Sequence, residues 1–145
     1  MAQLTFPIKA RELYVDVRVN LCAPELVVLH ATGRPAPVPA VGRAELDTGS
    51  NASGVSSAVI QQLMLASHTS SSTRGIGGPV PVKLYRVSLS VFDAAQPILP
   101  WFVIPDVEVM ELPPHVTIDV LLGMDVLLEC RLLIDGPARQ FTLDF

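Results

Sequence analysis

The stretch Ala44-Glu45-Leu46-Asp47-Thr48-Gly49-Ser50 constrains this chain more than any other. The run Val41 to Leu46 that leads into the turn is too short for a helix and carries no helix start signal, so it reads as a strand. Gly49 lets the backbone turn sharply and leaves Asp47 at the mouth of that turn. Alone, Asp-Thr-Gly also suits an ordinary bend, with Asp47 merely capping a turn in some small β-barrel. Three later features add weight. Ser56 to Leu65 reads as a capped helix with Val59, Ile60, Leu63 and Met64 at helical spacing. About 28 residues after Asp47 comes a glycine-rich tip, Gly75-Ile76-Gly77-Gly78, between strand-like flanks. Near the end, a buried strand from Ile118 to Leu122 runs into Gly123 and then a short helix from Met124.

The remaining chain also reads mostly as strands. Leu13 to Asn20 alternates with period two, and so does Val82 to Val91. Ala23 to Ala31 spans one or two helical turns with Pro24 early and Gly33 as terminator. Arg34 to Ala40 is too proline-rich for a ladder and reads as an exposed loop, Ser67 to Thr73 as a polar, flexible one. Ile98 to Ile104 is expected as a strand with Trp101 half-buried, and Pro105 to Pro114 as a loop or edge segment. Leu132 to Ile134 and Arg139 to Phe145 are strands joined by Asp135-Gly136-Pro137. Neither His30 nor His68 has the partners that a metal site or a hydrolase dyad needs.

The order hydrophobic-Asp-Thr-Gly, glycine-rich flap, then hydrophobic-hydrophobic-Gly before a helix resembles the retropepsin-like aspartic proteases, their small bacterial members above all. The likeness runs from about Leu13 to Phe145. It implies a mostly β fold, a closed β-barrel subunit occupying residues 1–145 as a single domain. A helix follows the Asp-Thr-Gly turn and a short helix follows the C-terminal Gly. It also implies an aspartic endopeptidase acting on peptide or protein substrates, with neither cofactor nor metal. On this template Asp47 is catalytic, Thr48 locks two turns together, and Gly49 leaves room for substrate backbone. Gly75, Ile76, Gly77 and Gly78 form a flap over the peptide, and Gly123 packs behind the active-site turn.

Such chemistry needs two carboxylates close enough to share a proton. The chain holds one Asp-Thr-Gly and, at 145 residues, has no room for a second lobe. A homodimer would bring two copies of Asp47 together at its two-fold axis. The C-terminal strand, Phe141 to Phe145, is expected to contribute to that contact. Two departures from the template stand out. Glu45 occupies an aliphatic position two residues before Asp47, on the same strand face. Met124 stands where many relatives carry Arg and Asn51 where retroviral members have Asp, which removes a possible ion pair near the dimer contact. A catalytically idle dimeric module that binds peptides or scaffolds a partner is the alternative these changes leave open.

Composition narrows the partners. Half the residues are hydrophobic and only 17% are charged, so part of the apolar surface is expected to face a partner. A net charge of −4 without a Lys/Arg cluster argues against nucleic acid and anionic membrane. No signal segment is visible, and the apolar stretch from Val116 to Ile134 is broken by five charged or glycine positions. The expectation is a soluble, cytoplasmic protein. Cys22 and Cys130 read as buried thiols in a reducing compartment, with one disulfide as the other possibility.

Overall fold

Short runs of alternating side chains, punctuated by Gly, Pro and Asp, make this a chain of strands. The computed structural model describes residues 1–145, apart from the surroundings of residue 75. In order, the elements are β1 (Gln3–Pro7), β2 (Tyr14–Leu21), α1 (Ala23–Ala31), β3 (Ala40–Leu46), β4 (Gly54–Val55) and α2 (Ser57–Leu63). They continue with β5 (Thr69–Gly75), β6 (Gly78–Phe92), β7 (Phe102–Glu111), β8 (Val120–Leu122), α3 (Met124–Leu127), β9 (Arg131–Asp135) and β10 (Gln140–Asp144).

Strand β2 pairs with both β3 and β6, so the order β2-β3-β8-β4-β7-β6 closes into a six-stranded barrel. Closure leaves those strands without an open edge. Strand β5 hangs on β6 as an outrigger. A separate three-stranded antiparallel sheet has the order β1-β10-β9. Alternation fills the barrel: Val15, Val17 and Val19 of β2 and Val87, Leu89 and Val91 of β6 all point inward and are buried. Leu4, Phe6, Phe141 and Leu143 of the small sheet join the same core, with Phe6 and Phe141 stacked at 5.5 Å between ring centroids.

The structure departs from the sequence expectations in several places, among them Met64, which is exposed just past the end of α2 rather than on its packed face. Ser67 to Thr73 is not all loop, because β5 begins at Thr69. Its Ser and Thr side chains are largely exposed, so no period-two signal marks it, and its register comes from the tight turn at Ile76–Gly77. The strand placed at Ile98 starts only at Phe102 and then runs through Pro105 to Glu111. Proline is tolerated there because Val87 pairs Val107 while Leu89 pairs Ile104, a bulge that leaves Pro105 and Asp106 outside the regular ladder. Strand β1 precedes Leu13, where the sequence resemblance begins. Strand β10 is the central strand of its sheet, paired on both sides within the subunit, so β1 and β9 hold its free edges. Both cysteines are free thiols. No helix among the described residues is long and apolar enough to cross a membrane.

Candidate active site

Two strand-turn-helix units meet side by side. Strands β3 and β8 run parallel, with Ala44, Glu45 and Leu46 opposite Val120, Leu121 and Leu122. Each strand then ends in its own turn, Asp47-Thr48-Gly49 on one side and Gly123 on the other, before a helix. Ser56 caps α2, its Oγ accepting from the Val59 N–H. The two strand-turn-helix units are therefore paired in space.

The Asp47 turn is pinned to the Gly123 turn by backbone hydrogen bonds. Asp47 N donates to the Leu122 carbonyl at 2.9 Å, Met124 N to Ser50 O at 2.8 Å, and Asp125 N to Asn51 O at 3.2 Å. Gly123 is required by this contact: a Cβ there would lie 2.6 Å from the Ala52 carbonyl oxygen and 2.9 Å from that of Ser50. These bonds set Met124 against Ser50 and Asp125 against Asn51. A carboxylate also holds the loop. Fully buried Ser53 donates its hydroxyl to Asp125 Oδ1 (2.7 Å) and its N–H to Asp125 Oδ2 (3.0 Å). The same hydroxyl accepts from Gly123 N at 3.0 Å. Sequence reasoning missed this lock. No periodicity links Ser53 to a residue 72 positions away.

Within this frame Asp47 faces outward at the rim of the barrel, half-buried, while Thr48 and Gly49 are exposed. Its Oδ1 accepts from Gly49 N at 2.8 Å; Oδ2 takes no hydrogen bond among the described residues. Thr48 likewise has no side-chain hydrogen bond there. Glu45 does share the outer face of β3 with Asp47, as the alternation predicts. Partial burial, Glu12 and Asp47 together push the Glu45 carboxyl above the usual carboxylate range. Next to it, across the β2–β3 register, is Tyr14, whose hydroxyl hydrogen-bonds Glu12 and whose ring lies under the Arg43 guanidinium at 4.3 Å. The bond to Glu12 raises the Tyr14 phenol.

The glycine-rich tip closes the β5–β6 hairpin. Gly75 pairs with Gly78, Ile76 projects fully into solvent, and Gly77 and Gly78 have open space where a side chain would sit. Gly78, at φ +116, adopts a conformation that other residues rarely reach. Side-chain surroundings at residue 75 lie outside the described residues. Beside the hairpin runs an apolar groove of about 600 Å³, lined by Val80 to Lys83 on one wall and Leu112 to Pro114 on the other. Asp47 does not line it. In this single subunit Asp47 and the hairpin are separate surface features.

A family model described as Aspartyl protease matches residues 36–126, which span β3 through most of α3. A search of curated proteins finds no match. Among solved structures, the fold is similar to a retropepsin-like aspartic protease from Rickettsia conorii (14% identity, TM-score 0.58, covering 97% of this chain and 89% of that one). It is also similar to the retroviral protease-like domain of Ddi1 from Leishmania major (16% identity, TM-score 0.50, covering 94% of this chain and 90% of that one). At such identities the likeness is one of fold. With the matched segment covering the paired turns, the chain belongs to the retropepsin-like aspartyl protease family.

Proposed function

We propose that the protein is an aspartic endopeptidase whose active centre forms when two copies meet about a two-fold axis at Asp47. The observation that carries this reading is the anchoring of the Asp47 turn. Three backbone bonds and the Ser53–Asp125 lock fix its base, while the carboxylate itself is turned outward and only Oδ1 is bonded. A turn-capping Asp needs no such support from a second, matching turn. Thr48 and Gly49, exposed in one subunit, are the residues a second copy would cover.

With two Asp47 carboxyls side by side, like-charge proximity keeps one proton on the pair. The ionised carboxylate takes a proton from a water as its oxygen attacks the scissile carbonyl carbon. The protonated partner donates to the carbonyl oxygen, giving a neutral tetrahedral diol. When the diol collapses, the C–N bond breaks, the amine leaves with a proton, and the pair returns to holding one. Gly49 leaves room for substrate backbone, and the Gly75–Gly78 tip closes over an extended peptide. The groove beside the hairpin offers an apolar seat for a peptide side chain. No cofactor takes part in these steps.

Incubation with a mixed peptide library across pH tests the reading. Cleavage is expected in mildly acidic conditions, and Asp47→Asn should abolish it while leaving the far-UV spectrum and the dimer unchanged. Undiminished cleavage by Asp47→Asn would place the chemistry elsewhere. An intact wild-type dimer that cleaves nothing would favour the idle peptide-binding module.

A further inference from the structure

The carboxylates around Asp47 form no ion pair among the described residues. Glu45 makes no hydrogen bond and no ion pair among the described residues; the ion pairs there are His68–Glu108, Arg86–Asp106 and Arg131–Asp144. Every element packed against Glu45 contributes to its setting. On its own strand are Arg43 and Asp47. From the β2 side come Tyr14, directly opposite, Glu12, hydrogen-bonded to Tyr14, and Asp16, opposite Arg43. From the β8 side comes the apolar Leu121, preceded by Asp119, whose carboxylate accepts from the Arg43 N–H. The cations beside this set are Arg43, whose guanidinium is stacked on the Tyr14 ring, and Lys9, bridged through its backbone to Glu12.

At about 3.3 Å per strand residue, Glu45 lies roughly 7 Å along the chain from Asp47. An isologous contact that brings two Asp47 residues together therefore also draws two copies of Glu45 toward the axis, with Glu12 beside each. Partly desolvated like charges at such separations are screened less than exposed ones. We propose that Glu45 gates assembly: ionised, it opposes the approach of the second subunit, and protonated, it permits it. The enzyme is thereby confined to acidic conditions at the level of association, before any chemistry. This inference rests on the homodimer of the preceding section. The upward displacement of the Glu45 carboxyl by burial, Glu12 and Asp47 agrees with it, since that displacement puts the ionisation nearer neutral pH.

Sedimentation equilibrium of the full chain at constant ionic strength, from pH 4.5 to 8, is the test. The dimer Kd of the wild type should rise at least about tenfold over that range, because one proton per subunit is linked to association. Glu45→Gln should hold the Kd within about threefold of its acidic value throughout, and Glu12→Gln should remove a smaller part of the slope. Far-UV spectra establish that each variant is folded. A dimer whose Kd follows pH equally in wild type and Glu45→Gln overturns the gate while leaving the homodimer standing. So does a Glu45→Gln effect confined to KM for peptides with a cationic side chain beside the scissile bond. A wild type that stays monomeric at every pH overturns the homodimer, and the gate with it.

Discussion

Two side chains near the turn, Ser53 and Glu45, act through opposite kinds of environment. Ser53 is fully buried with its hydroxyl engaged twice, so Ser53→Ala leaves the Gly123 N–H without an acceptor and takes one donor from Asp125. The expected loss is about 1–3 kcal/mol, the usual cost of orphaning a buried polar group, and urea unfolding measures it. Asp125→Asn should fall in the same range, because an amide has one acceptor oxygen for the two Ser53 donors. Glu45 works the other way. Its folded carboxyl holds a proton more readily than the unfolded one. Ionisation therefore opposes folding: the destabilisation is absent below the unfolded value of about 4.3, grows as pH rises through the folded value, and is complete above it. Glu45→Gln should accordingly melt at a higher temperature than wild type at pH 7.5, with the difference vanishing toward pH 4. A constant difference across that range would show that packing, not charge, sets it.

At the scale of elements, the turn at Gly123 is the least replaceable. The oxygen atoms facing its absent side chain belong to backbone, which cannot swing aside, so Gly123→Ala should cost about 3 kcal/mol or more and weaken cleavage in parallel. That turn was legible in the sequence, as were β3, α2, β8 and α3. Each of these carries its signal locally: an apolar run, a capping serine, a glycine at the join. The Glu45 side of β3 was legible too, since alternation persists up to the turn. Strand β5 was not, because both its faces are wet and hydrophobic patterning has nothing to record. Pro105 hid the length of β7, since a proline ends a regular strand and only the pairing with β6 reveals a bulge around it. The Ser53–Asp125 lock was invisible for a third reason. It joins residues of opposite halves of the chain, and a single sequence does not encode which distant side chains meet.

For the whole molecule, charge and apolar area are expected to respond differently to salt. If the proposed homodimer sets Glu12 and Glu45 of two subunits facing one another, sodium chloride would screen their repulsion, and the dimer Kd near neutral pH should fall as salt rises to near-molar levels. A marked loosening over that range would mean that oppositely charged pairs hold the interface. Inside the subunit, Phe141→Ala should cost about 3–5 kcal/mol, since the ring is wholly buried and stacked on Phe6. That stack belongs to a sheet in which the opening strand lies against the closing one, Ala2 and Phe145 exchanging both backbone hydrogen bonds at 2.9 and 3.0 Å. Such a pairing joins residues far apart in sequence, and long loops close slowly. Strand β1 should therefore dock last during refolding. In native-state hydrogen exchange its amides should open by a sub-global route, well before those of β2 and β6, with the barrel still shut behind them.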